Sequence, residues 1–312
     1  MNEALERILV IKLGALGDLV LCCSAFEAIR RAHPSAQIAL LTMPPFEKFI
    51  RKMPWFDEIL IDTRPPMKDL CGWSQLIGKV RAFAPNRVYD LQGKFRQSIL
   101  YFSLGGPFGA EWSGAAPLCS HPRCWPPKPE MHYTDFVAAQ LERANVHPRR
   151  EVDYSWLDAP VDKFSLPQPY AVLIPGCAPT RPYKRWPAQK YAELAKNFLK
   201  DGLSVVAIGT SAEADVIRDI CAACPEVIDL SGKTSLFEVA GVCRNAKLVV
   251  GNDTGPVHMA GAVGTKTLSL FSDQVNPVWS SPRGLRTAYL QGHPLSDLSV
   301  EAVVQQLSSM PE

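Results

Sequence analysis

Residues 248–272, LVVGNDTGPVHMAGAVGTKTLSLFS, leave this chain few choices of architecture. Leu248, Val249 and Val250 form an apolar run, followed by a Gly-Asn-Asp-Thr-Gly loop and a short helical stretch. Gly264 stops the helix, and a second apolar run extends from Thr267 to Phe271. Pro256 suits a first helical turn, where its missing N–H is not needed and its fixed φ is already helical. Gly255 lets the backbone approach a ligand, and the free N–H groups of the helix start form an anion site. Asp253 and Thr254 stand at the entrance, with His258 in the first turn. A strand, loop and helix of this kind present a diphosphate-bearing ligand at the carboxyl end of a parallel sheet. The alternative is that Asp253 or Thr254 simply caps a small helix.

The same alternation runs through the rest of the chain. ILVIKL at 8–13 is an apolar run suited to a buried parallel strand, and it feeds GALGD and a helix ending before Pro34. Strands follow at 37–42, 58–61 and 87–91, with helices near 46–52 and 73–83. Residues 104–131, rich in Gly, Pro, Trp and Cys, show no period and read as a long loop. After a helix at 132–145 the pattern restarts: YAVLIPG, a basic loop with Arg181, Lys184 and Arg185, a helix from Ala188, LSVVAIG, and a helix capped by Ser211. The tail, 298–307, is a last amphipathic helix. Alternating strands and helices mean right-handed βαβ units and parallel sheets. The division expected is 1–155 and 169–312, joined by a linker at 156–168, with the last helix free to pack back towards the first domain.

Composition excludes several classes. A net charge of +2 over 312 residues gives no footprint for nucleic acid. The chain enters its first strand without a signal-peptide pattern, and no apolar run approaches the ~20 residues of a membrane span; a cytoplasmic protein is expected. Its nine cysteines fit that compartment as free thiols. Cys119, His121 and Cys124 have metal-like spacing but lack a fourth ligand, so no metal site is assigned. Gly14 and Gly17 lack the GxGxxG spacing of a dinucleotide fingerprint, which argues against a nicotinamide enzyme. They more simply allow a tight turn that brings Asp18 to the sheet edge, where Asp18 could also be a plain helix cap.

The motifs NDTGPVHMAGA and KRWP resemble glycosyltransferase family 9, the ADP-heptose:lipopolysaccharide heptosyltransferases, and ILVIKLGALGD, VYDLQGKFRQS and GTSAEADV are similar to further family segments. The resemblance implies an α/β fold of the GT-B type, two Rossmann-like parallel-sheet domains facing each other across a cleft. It implies Asp18 as catalytic base and Thr180, Lys184, Arg185, Glu213, Asp253, Thr254, Gly255 and His258 as donor-binding residues. Gly17, Arg64, Lys94, Arg96 and Arg123 are the acceptor-side candidates. FSDQ after the strand at 267–271 departs from the family pattern, as does the 104–131 loop.

The implied chemistry is inverting transfer of heptose from ADP-heptose to the lipid A/inner-core saccharide at the cytoplasmic face of the inner membrane, with only peripheral membrane association. Such a step needs a base on the acceptor hydroxyl and neutralisation of the departing diphosphate. A helix N-terminus with Lys184 and Arg185 can supply the second, so no cofactor or metal is expected. Two alternatives remain open: a non-catalytic nucleotide-sugar binding protein, and a glycosyltransferase of the same fold with another sugar or a protein or O-antigen acceptor.

Overall fold

The computed structural model describes residues 5–311. It divides into two compact units, Met1–Trp156 and Leu157–Glu312, so that most of the stretch read as a linker belongs to the second.

The first unit is built on β1 (Arg7–Ile11), β2 (Gln37–Thr42), β3 (Glu58–Ile61), β4 (Arg87–Asp90), β5 (Glu111–Gly114) and β6 (His121–Pro122). These pair in parallel in the order β3-β2-β1-β4-β5-β6. Its helices are α1 (Leu16–Leu21), α2 (Cys23–Ala32), α3 (Glu47–Ile50), α4 (Leu70–Phe83), α5 (Phe95–Ser103) and α6 (Tyr133–Glu142). The period-2 alternation of β1 sends Leu9, Ile11 and Leu13 into a core with Trp73, Leu76 and Val80 of α4 and Leu100 of α5. Each such side chain, fully buried, contributes about 1.5–3 kcal/mol.

Residues 104–131 correct the sequence reading: the stretch holds β5 and β6. Glycines and prolines hide the period, yet Trp112 is wholly buried in that core and Trp112 pairs with Val88 of β4.

The second unit repeats the plan with β7 (Tyr170–Ile174), β8 (Ser204–Ala207), β9 (Ile228–Asp229), β10 (Leu248–Asn252), β11 (Thr267–Ser272) and β12 (Thr287–Gly292). They run parallel in the order β12-β11-β10-β7-β8-β9. Its helices are α7 (Ala188–Lys200), α8 (Ala214–Ala223), α9 (Leu236–Arg244), α10 (Gly255–Ala262), α11 (Pro277–Ser280) and α12 (Val300–Ser309). α12 buries Val300, Val303 and Leu307 in this unit's own core, with Tyr191, Ala195 and Phe198 of α7.

Both sheets share one strand order, and in each the order reverses between the first strand and the fourth. In an open α/β sheet that switch point, at the carboxyl ends of the strands, is where ligands bind. In the first unit the loops there follow β1 and β4; in the second they follow β7 and β10. Asp18 follows β1, Lys184 follows β7, and Asp253 follows β10.

Candidate active site

In the second unit the site grows from the end of β10. Asn252, its last residue, is fully buried and ties three segments together. Its Nδ2 donates to Pro175 O at 2.7 Å, while its Oδ1 accepts from Trp186 N at 3.2 Å and Tyr191 Oη at 2.9 Å. That clamp fixes the basic loop after β7 against the entrance to α10. Trp186 is also fully buried and packs edge-on against Tyr191 with ring centroids 4.9 Å apart. It is therefore an anchor, with no face free for a nucleobase.

Held this way, Lys184 is only 8% exposed and its ammonium donates to Asp253 Oδ2. His258 Nε2 faces Asp253 Oδ1 at 3.7 Å. Burial pushes the Asp253 carboxyl up, but hydrogen bonding to His258 and Lys184 and the Lys184 charge outweigh it, holding Asp253 below its usual range. Among the described residues, His258 Nδ1 and Arg185 Nε are buried without a hydrogen-bond partner, two polar groups pointing at unmet need.

Thr254 is the N-cap residue of α10 but gives the helix no side-chain cap; its hydroxyl donates instead to Asn252 O at 3.2 Å. Capping by Asp253 or Thr254 is thus set aside, and the first-turn N–H groups keep their anion-binding capacity. Glu213 closes a capping box with Thr210, accepting from its N–H at 2.8 Å and its hydroxyl at 2.9 Å. Thr210 caps the turn leading into α8, where the sequence pointed to Ser211. A Cβ on Gly176 would overlap the Glu213 carboxylate, so Gly176 allows the loop after β7 to lie against Glu213. Thr180 is exposed in that loop.

In the first unit Asp18 lies in the first turn of α1, whose N-cap is Ala15, so Asp18 is not a cap. Gly14 before it has φ +129°, and a Cβ there would overlap the Phe46 ring, so glycine alone fits. Gly17 is buried in the first turn of α1. Lys12, which the sequence reading passed over, is 2% exposed and bonds Asp18 Oδ2 at 3.1 Å and Tyr133 Oη at 2.6 Å. A lone cation inside an apolar strand was the signal that could have found it.

Asp90, also passed over, is buried at the end of β4 and accepts from Gln92 N at 3.1 Å and Gly93 N at 2.8 Å. Burial raises its carboxyl to about 6, against the pull of Arg123, the two N–H groups and Lys12.

The acceptor-side candidates separate into two kinds. Arg96 bonds Pro65 O at 2.7 Å and Asp62 Oδ1 at 3.2 Å, lying 4.1 Å from the Trp73 ring. Arg123 bonds Asp90 O at 2.7 Å and also Gln140. Both are committed to intramolecular partners, while the Arg64 and Lys94 side chains are exposed. Cys119, His121 and Cys124 form no metal cluster; among the described residues no three His, Cys, Asp or Glu side chains are grouped to hold a metal ion. Cys124 accepts from Arg143 Nη1 at 2.7 Å and His121 Nδ1 bonds Arg143 O at 3.0 Å.

Comparison with known proteins decides the family. The model of glycosyltransferase family 9 (heptosyltransferase) matches residues 73–284. This chain belongs to glycosyltransferase family 9. Lys184, Glu213, Asp253 and His258 of the family 9 chain fall inside the matched stretch, and Asp18 precedes it.

Lipopolysaccharide heptosyltransferase 2 of Escherichia coli K12 is 25% identical over 287 residues, 85% of this chain and 82% of the relative. A family 9 glycosyltransferase structure from Veillonella parvula superposes with TM-score 0.83 at 20% identity, covering 97% of this chain and 96% of that one. The E. coli heptosyltransferase WaaC with ADP gives 0.74 at 20% identity, covering 97% and 99%. The family 9 enzyme is a glycosyltransferase with the GT-B fold of these structures.

Proposed function

We propose that this enzyme transfers heptose from ADP-heptose to a lipopolysaccharide inner-core acceptor, with inversion at the anomeric carbon. The observation that carries the reading is the uncapped start of α10 beside the buried Lys184–Asp253–His258 cluster. A helix N-terminus carries roughly half a positive charge and free N–H donors. Lys184 adds an ammonium donor that Asp253 holds in place, and Arg185 Nε adds a donor without a partner among the described residues. Together they suit a diphosphate leaving group.

In the step we infer, Asp18 accepts the proton of the acceptor hydroxyl. That oxygen bonds the anomeric carbon while the bond from this carbon to the β-phosphate oxygen breaks. ADP departs with the electron pair, its charge neutralised by α10 and Lys184. Relatives named lipopolysaccharide heptosyltransferases support the choice of sugar and acceptor. The exposed Arg64 and Lys94 suit the anionic inner core, and the work is assigned to the cytoplasmic face of the inner membrane. Among the described residues no helix is long and apolar enough to cross a membrane, so attachment there is assigned as peripheral.

The test is transfer from ADP-heptose to an inner-core acceptor, followed by mass spectrometry, for the parent enzyme and for Asp18→Asn. General base catalysis contributes ~10²–10⁴-fold, so kcat falls by at least ~10²-fold while ADP-heptose binding and Tm stay nearly unchanged. EDTA leaves the parent activity intact. Near-normal transfer by a folded Asp18→Asn enzyme would remove the base, and a dead parent enzyme that binds ADP-heptose would leave a binding protein.

A further inference from the structure

The register of β1 puts an ammonium group where an aliphatic side chain belongs. Leu9, Ile11 and Leu13 face the core shared with α4 and α5, so Ile8, Val10 and Lys12 point to the opposite face of the sheet. Ile8 and Val10 are completely buried and Lys12 is 2% exposed. Burying an ammonium costs several kcal/mol unless good partners surround it. Hydrophobic residues fill such places more stably, which makes the choice of lysine informative.

Among the described residues its hydrogen-bond partners are two. The ammonium donates to Asp18 Oδ2 and to the Tyr133 hydroxyl, and it lies 4.7 Å from the centroid of the same ring. Tyr133 hands the network on, donating to Leu91 O at 3.3 Å and meeting Cys22 Sγ at 3.5 Å. The cation is thus wired to the ends of β1 and β4 and to the start of α6. Asp18 differs in environment: its side chain is 48% exposed, and among the described residues its Oδ1 has no hydrogen-bond partner. One carboxylate oxygen is held from inside the protein and the other has no such tie among the described residues.

We propose that Lys12 is the positioning residue of Asp18, locking Oδ2 so that Oδ1 is presented to the acceptor hydroxyl. The inference rests on Asp18 acting as the base. A half-exposed aspartate in a first helical turn otherwise samples several staggered rotamers, only some of which aim an oxygen at substrate. A misplacement of about 1 Å can cost on the order of 10²-fold in rate. Lys12 touches no reacting atom.

Lys12→Met keeps the length and apolar stem of the side chain and removes the charge. It should lower kcat by about 10–100-fold with KM for ADP-heptose and ADP affinity unchanged. A lysine that served only stability would move Tm and leave kcat alone. Tyr133→Phe, which removes one partner of the ammonium and no charge, should lower kcat in the same direction by less. It also serves if Lys12→Met does not fold.

The deciding readout is the double variant. Lys12 acts through Asp18, so Lys12→Met should cost nothing further in the residual turnover of Asp18→Asn, as residues acting as one unit are not additive. Multiplying losses in the double variant overturn the proposal. So does wild-type kcat in folded Lys12→Met, or in Tyr133→Phe where Lys12→Met does not fold, when Asp18→Asn is impaired; the base then stands. Near-normal turnover of Asp18→Asn itself removes the base and the positioning role together.

Discussion

Two buried carboxylates illustrate opposite uses of charge at the scale of the residue. Asp253 is held below its usual range by His258 and Lys184 in spite of burial, so it is ionised and orders Lys184 and His258 around it. On the proposed reading, removing Lys184 alone has two effects: it takes a charge-assisted contact from the diphosphate and leaves the buried Asp253 with only His258 beside it. Lys184→Ala should weaken ADP binding by ~1.5–3 kcal/mol, and cost about 3–5 kcal/mol of stability. The double variant Lys184→Met/Asp253→Asn should recover most of the stability and none of the affinity. Calorimetric titration with ADP and urea unfolding separate the two, and unchanged ADP affinity in the single variant would sink the role of Lys184.

Asp90 runs the other way. Its folded carboxyl titrates near 6 because it is buried, while the unfolded chain loses that proton near the ordinary value of about 3.9. Between the two the folded state binds more protons, so stability falls as pH rises through that window and is level above it. Asparagine can still accept the two N–H bonds through Oδ1 and has no proton to lose. Unfolding free energies of Asp90→Asn and the parent should therefore diverge from pH 4 to pH 7, in favour of the variant, by on the order of 3 kcal/mol. A difference that does not change with pH would contradict this account of Asp90.

At the scale of the element, the helix start of α10 is the part whose chemistry was most legible. NDTGPVH carries a strand end and Pro256 in the first turn, and the structure has both; the sequence leaves open whether Asp253 or Thr254 caps the helix, and that neither does comes from the structure. Gly255 is not among the glycines with positive φ, so its backbone conformation does not demand glycine. Gly255→Val should leave the helix and Tm close to normal while its side chain closes the anion site. ADP binding should fall by at least ~10-fold, about 1.4 kcal/mol; a variant that binds ADP like the parent would move the phosphate elsewhere.

The elements that escaped sequence reading share a cause. β5 has four residues and β6 two, and β12 is an edge strand with five of its six residues outside the buried class. None offers an apolar run; each exists because a neighbour provides a ladder to pair with. Asn252 and Lys12 were hidden for a related reason. Their importance lies in side-chain hydrogen bonds to segments distant in sequence, which no local period records.

At the scale of the whole molecule, two parallel sheets of one strand order each carry a core of their own. A ligand that binds one of them stabilises it by mass action, by about 2.7 kcal/mol at 100 times its Kd. ADP should accordingly raise the unfolding temperature of the second unit most, with hydrogen exchange slowed chiefly in 175–186 and 251–258. Protection confined to the first unit would contradict a donor site after β10.

Trp186 gives that second unit an unexpected dependency. Its indole N–H donates to Leu298 O at 2.9 Å, and Lys190 Nζ donates to the same carbonyl at 2.9 Å and to Ser296 O at 2.6 Å. The loop bearing Lys184 is therefore bolted, more than a hundred residues along the chain, to the turn that launches α12. A protein engineer who fuses a bulky reporter directly after Met310, or trims α12 as an expendable tail, pulls on that bolt. The fault would surface as poor nucleotide retention, far from where the cut was made.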